Sequence, residues 1–377
     1  MSRALSHHRR LLAGAAAVAA LATLALACGG QPAGQRYTRT EATETLEKIE
    51  RPGLVLGEFA LPPNAVIDGD TLRVVGLDAT LRVLAIDTEE AYGSEADRRA
   101  AERDFDAYLE KAFEDGDLDK FGTPMGAEAT RWTEEFFDGV DTVRLERDHP
   151  KEIRGHYNRY LVYVFKRGDD GEWIHFNIES VRAGMSPYYS KYGYSRRFHD
   201  EFVAAQNEAR QAQRGIWDPD AKSYGIDNYD HRIAVWNARA DFLREFEEQA
   251  ETRDDFIVLT NWDALLRLEE RVGDEVTLLG SVGDIREGDG TRPTRVELSR
   301  RMFESFPLIF WDDDVLASSG IRDHQGHFVS VRGVVSEYTF PSGDRTVHQI
   351  VVNRPNQIAG SRAPTIEAAA TAMGGAQ

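Results

Sequence analysis

The chain has 377 residues, enough for two domains that each bury a core of their own. Its net charge of −19, from 64 acidic and 45 basic residues, excludes a polycation that coats nucleic acid through bulk charge; any approach to phosphates needs local cations or a recruited metal. Its one cysteine, Cys28, excludes an intramolecular disulfide and a structural zinc–thiolate site.

Residues 1–28 read as an export signal: "MSRALSHHRR" is basic, "LLAGAAAVAALATLALA" is apolar, and Cys28 follows directly. The apolar run is short, alanine-rich and closed by small residues, which fits a secretory signal better than a membrane span. A cysteine at this place resembles the lipobox of bacterial lipoproteins, which predicts lipidation of Cys28 and an outer-membrane or cell-surface anchor. "ALA" (25–27) also serves a soluble-secretion peptidase, with a periplasmic or secreted product, and Arg9-Arg10 admits a twin-arginine signal that the following residues fit poorly. Residues 29–58 are polar and mixed and predict a tether.

A first domain is predicted over 59–220. "NAVIDGDTLRVVG", "ATLRVLAID", "DTVRLERD" and "RYLVYVFKR" alternate apolar and polar residues and predict strands of a small barrel. Between the second and third lies an acidic stretch, 89–119, with 12 acidic and 4 basic residues. Phe105, Tyr108, Leu109, Ala112 and Phe113 recur there at helical spacing, predicting a surface helix that would narrow or gate a cleft. "PMGAEATRWTEEFF" (124–137), "FNIESVRAGMS" (176–186) and "FHDEFVAAQNEARQAQRGIW" (198–217) predict three further helices, the last stopping at Asp218-Pro219.

Residues 221–262 predict a connecting region built on the amphipathic helix 229–250. Over 263–360, five short strands at 274–288, 294–300, 306–314, 327–340 and 347–353, with glycine-bearing turns, predict a second small β-barrel. The tail, 361–377, holds too few large apolar residues to fold.

The residues with chemistry cluster early. "VIDGDTLRV" (66–74) sets two aspartates around a glycine, a pattern that also suits an ordinary hairpin turn. "LRVLAIDTEE" (81–90) brings another aspartate to a second strand end. Asp70 and Asp87 offer hard anionic oxygens of the kind calcium prefers, with Asp68 better suited to shaping the turn. Arg82 and Arg159 offer guanidinium forks matched to phosphate oxygens, although an arginine in a strand is commonly a solvated face residue.

These two segments, with "HYNRYLVYVF", "NIESVRAGMS" and the helix ending in "GIW", resemble the staphylococcal nuclease, or thermonuclease, family, in its order and over about 62–220. The resemblance implies a β-rich α+β chain whose first domain is an OB-fold-type five-stranded barrel with helices. It further implies calcium held by Asp70, Asp87 and the Thr88 carbonyl, phosphate held by Arg82 and Arg159, and Glu90 as general base. Tyr157, Tyr188 and Tyr189 fall where the family places substrate-contacting tyrosines, with rim packing as the other reading of 188 and 189. Implied activity is hydrolysis of DNA or RNA to 3′-phosphate products.

Three departures stand out. Glu89 occupies the family's proline position, leaving open which glutamate points inward, and His156 and Asn158 replace lysine and glycine. The block at 263–360 looks similar to OB-fold modules, with Phe310, Trp311, Tyr338 and Phe340 as candidate stacking residues for a single strand. "WDDDV" sets three aspartates beside Trp311, so a protein-docking module stands beside that reading. A non-catalytic nucleic-acid- or protein-binding envelope module is the alternative to the exported nuclease as a whole.

Overall fold

The computed structural model describes residues 53–115, 121–151, 159–299, 305–341, 343 and 345–360. The signal and lipidation readings on 1–28, most of the tether, Tyr157, His156, Asn158 and the tail from 361 lie outside the described residues.

The first barrel uses β1 (Val55–Ala60), β2 (Thr71–Leu72), β3 (Leu81–Val83), β4 (Thr142–Glu146) and β5 (Tyr160–Arg167). They pair in the order β1-β4-β5-β3-β2, with β3 and β5 parallel. Hydrogen bonds from Arg73 N to Ala65 O (2.8 Å) and from Val75 N to Ala60 O (2.9 Å) carry the sheet from β2 back to β1. Alternating Leu72, Leu81, Val143, Leu145, Val162 and Val164 fill the interior with Phe176 and Phe202. A short strand β6 (Trp173–His175) extends β5.

β1 begins inside the segment expected to be a tether. Leu56 is buried and Val55–Ala60 pair with β4, because the strand completes a barrel that β4 alone would leave open.

The acidic stretch forms two helices rather than one, α1 (Glu95–Arg103) and α2 (Phe105–Asp115). Ser94 caps the first by accepting from Asp97 N (3.1 Å). Asp104, in extended conformation, ends it and caps the second by accepting from Ala107 N (3.1 Å). Next come α3 (Pro124–Phe136), α4 (Phe176–Arg182), α5 (His199–Gln211) and a 3-10 turn at Gly215–Trp217.

The linker is a 25-residue helix, α6 (Ile226–Ala250). Its early residue Tyr229 joins Met125, Ala129, Ile216 and Trp217 of the first domain, while Leu243 and Phe246 pack on Phe256, Val258, Leu279 and Phe328 of the second. Lys151 and Asp263 form an ion pair (2.7 Å), and Trp262 N donates to Lys151 O (3.2 Å), tying the two barrels directly.

The second barrel contains β7 (Phe256–Val258), α7 (Ala264–Glu269), β8 (Glu275–Arg286), β9 (Thr294–Ser299), β10 (Phe306–Phe310), α8 (Asp313–Ser318), β11 (Phe328–Thr339), β12 (Thr346–Val351) and β13 (Ile358–Gly360). β8 pairs with both β9 and β11, so β8-β9-β10-β12-β11 closes on itself, with β10 and β12 parallel. This is the strand order of the first barrel. The domain starts earlier than the expected 263, since β7 runs parallel to β8. The strand expected over 306–314 stops at Phe310 because Asp312 caps α8, accepting from Asp314 N (2.8 Å). Phe310 is core; Trp311 is 65% exposed.

His175 provides a first stability test. Its ring lies 4.4 Å from that of Phe165 and 4.7 Å from that of Phe198, and both ring nitrogens are buried with no partner among the described residues, although the residue keeps partial exposure. Burial, reinforced by the Arg197 charge, depresses its pKa from 6.5 to about 3. The neutral ring therefore favours folding fully above 6.5, and that contribution is lost as pH falls toward 3. His175→Phe is expected to flatten this acid loss, gaining about 2 kcal/mol over wild type near pH 4 in urea unfolding, with a smaller difference near neutrality.

Candidate active site

The "DGD" turn is built from all three of its residues. Asp68 Oδ1 accepts from Asp70 N (3.1 Å), and Ile67 N donates to Thr71 O (2.9 Å), closing a turn that leads into β2. Gly69 is needed for space: a Cβ there would lie 2.7 Å from Thr88 Oγ1, so glycine lets the turn seat against the segment after β3. Asp70 follows, buried, accepting from Thr71 Oγ1 (3.1 Å).

Pairing of β2 with β3 sets Thr71 opposite Arg82, which brings Asp70 beside the arginine. Arg82 then bridges two carboxylates, donating through Nη1 to Asp70 Oδ2 and through Nη2 to Asp87 Oδ1 (2.5 Å for the latter). Burial pushes both aspartates' pKa values up, Arg82 pulls both down, and Asp68 and Asp70 add like charge to Asp70 and Asp87 respectively. The same two carboxylates push the Arg82 pKa above its ordinary value against the opposing effect of burial. Asp87 is oriented from far along the chain, its N donating to Ser186 Oγ (2.8 Å). The chain reaches Asp87 through Ala85, which takes a left-handed φ of +62° and accepts from Tyr189 N (2.9 Å).

Glu89 and Glu90 part company. Glu89 is buried, and its carboxylate accepts from Thr123 Oγ1, Tyr224 N (2.8 Å) and Tyr229 OH (2.7 Å). Glu90 is exposed and lines the cleft. Gly126, in the first turn of α3, makes this possible: its Cβ would fall 2.0 Å from Glu90 O.

The cleft measures about 670 Å³ and is walled by Asp70, Arg82, Asp87, Thr88, Glu90 and Arg159, with the second barrel opposite. Arg159 enters because it immediately precedes β5, whose Tyr160 pairs with Leu81 of β3. Tyr189 also lines it, its ring 5.9 Å from the Arg82 guanidinium and edge-on to Trp236 at 4.8 Å. Tyr188 does not. It is buried, stacked on Phe202 at 4.9 Å, and its OH accepts from Ser195 N (2.8 Å), so the substrate-facing expectation for it is replaced by a core role. No described residue of α1 or α2 lines the cleft, whereas Glu90, at the start of the acidic stretch, does.

For calcium, the donor set is two carboxylates beside the Thr88 segment. Among the described residues no group of three or more His, Cys, Asp or Glu gathers at one point, so most of a calcium shell would come from backbone oxygen and water. Hard oxygen donors and like charges at buried Asp70 and half-buried Asp87 fit a hard divalent cation.

Sequence reasoning missed the far wall. Lys191 and three residues of α6, Arg232, Trp236 and Arg239, also line the cleft. The signal was present in the spacing i, i+4, i+7, which aligns the latter three on one helix face.

A family model described as Staphylococcal nuclease homologue matches residues 71–219, spanning β2 to the 3-10 turn and stopping before α6. No curated protein matches the chain in a sequence comparison. Residues 71–219 thus match a staphylococcal-nuclease-family domain, set within a longer two-barrel chain.

Proposed function

We propose that this chain is an exported, calcium-dependent nuclease that hydrolyses phosphodiester bonds of DNA or RNA. The observation that carries the reading is the convergence of Asp70, Arg82, Asp87, Glu90 and Arg159 on one cleft. Asp70, Asp87 and the Thr88 carbonyl would hold calcium, which when bound offsets phosphate charge and stabilises the charge that grows on phosphorus. Glu90 accepts the proton of the attacking water. Arg82 and Arg159 hold the non-bridging oxygens as the new P–O bond forms in line with the departing 5′ oxygen. Export rests on the pattern of residues 1–28, with Cys28 as the site of a lipid anchor. The second barrel, whose strand order repeats the first, is read as an OB-like module, with single-strand contact or protein docking as its candidate roles.

The test is release of nucleotides from single-stranded DNA by wild type and Glu90→Gln, in calcium and in chelator. Calcium-dependent cleavage that falls roughly 10²–10⁴-fold in Glu90→Gln is the expected result. No cleavage by folded wild type in calcium would replace this reading with a binding module.

A further inference from the structure

The far wall of the cleft belongs to neither barrel's own chemistry. α6 crosses it with Arg232 and Arg239 two helical turns apart, about 10 Å along the axis, and Trp236 between them. The Arg232 guanidinium sits 5.1 Å over the Trp236 ring, and Trp236 in turn meets Tyr189, so a chain of contacts links this wall to Arg82. Arg232 also acts electrostatically on both Asp87 and Glu89, which locates its charge beside the candidate metal ligands.

Arg239 is more unusual. It is 9% exposed, its Nη2 lies 2.7 Å from Nδ1 of His327 on the second barrel, and its Nε is buried with no hydrogen-bond partner among the described residues. Burial, the Arg239 charge and neighbouring cations depress the His327 pKa to about 4, so at neutral pH the ring is neutral and can accept from the arginine without offsetting its charge. A buried guanidinium without a carboxylate is costly unless an anion completes it. The second barrel backs this face with Thr260, Ser281, Gly283 and Phe328.

We propose that α6 and the second barrel form a second phosphate-holding wall, in which Arg232 and Arg239 take backbone phosphates of a single strand next to the scissile one. The inference rests on the nuclease reading for its substrate. It accounts for how a chain of net charge −19 grips a polyanion: attraction is confined to one cleft between the barrels. It also assigns the second barrel a task, holding α6 in register with Arg82.

The test uses the full chain with fluorescent oligothymidylate, measuring binding in chelator and hydrolysis in calcium across a salt titration. Arg232→Gln, Arg239→Gln and Arg239→Lys are compared with wild type, each checked for cooperative unfolding. Each glutamine variant is expected to raise Kd and KM about tenfold, consistent with loss of one charged hydrogen bond, with a much smaller change in kcat. Each is also expected to reduce the log–log salt slope of binding by about 0.7, whereas Arg239→Lys keeps most of the slope. Wild-type Kd, KM and salt slope in folded Arg232→Gln would overturn the proposal, whatever Arg239 variants do. Arginine-dependent binding without cleavage would support this wall while sinking the nuclease reading; cleavage with no dependence on either arginine would do the reverse.

Discussion

Arg82→Ala is expected to lower kcat for single-stranded DNA at saturating calcium by roughly 10²–10³-fold, the usual loss when one donor aimed at developing oxyanion charge is removed. A second effect should appear without substrate. Arg82 is the group that bridges Asp70 and Asp87, and both carboxylates are already disfavoured as anions by burial. Removing the guanidinium leaves them facing each other. The variant should lose about 3–5 kcal/mol of stability in chelator, the range measured when one partner of a buried ion pair is deleted. Calcium should then stabilise Arg82→Ala more than wild type, since the cation takes over the charge compensation that the arginine provides. Calorimetry of both proteins with and without calcium reads this directly. Equal calcium stabilisation of the two would remove Asp70 and Asp87 as its ligands. Arg82→Lys restores the charge without the fork and should recover stability better than turnover.

Glu89→Ala is expected to cost about 3–4 kcal/mol, because Thr123 Oγ1, Tyr224 N and Tyr229 OH lose a shared buried acceptor. The same variant should lower kcat, since these bonds pin the segment that carries Glu90 to the start of α6. Glu89→Gln keeps an acceptor and should lose less than half as much. Its pH dependence is the sharper readout. Burial raises the Glu89 pKa above 4.5, so the folded protein binds this proton more tightly than the unfolded chain. The stability contributed by that proton is full below 4.5 and fades as pH rises through the folded value; Glu89→Gln should erase this slope in urea unfolding. An unchanged slope would mean that Glu89 does not titrate in its pocket.

Glu89 and Glu90 take separate roles although they are one position apart in the chain. "DTEE" presents two adjacent glutamates, and local pattern cannot rank them: Glu89 is drawn inward by Tyr224 and Tyr229, more than a hundred residues away, leaving Glu90 to the cleft. Tyr188 and Tyr189 divide in the same way. Phe202 claims the first as a stacking partner, and the second remains under Arg82. β1 escaped the sequence reading because Gly57 and Glu58 interrupt its alternation, and only its partner β4 makes it a strand.

The sequence by itself showed most of the strands and helices in order and the two-barrel plan, because strand periodicity is local, and its resemblance to a known family singled out Asp70, Arg82, Asp87 and Arg159. The shape of the "DGD" turn was legible for the same reason, since Asp68 acts within two residues of itself. Tertiary structure alone decided which of two neighbouring side chains faces the cleft, and that the linker helix turns Arg232, Trp236 and Arg239 toward it. Those outcomes depend on contacts between segments remote in sequence. Burial of Leu243 and Phe246 against the second barrel and of Tyr229 against the first fixes the rotation of α6 about its axis.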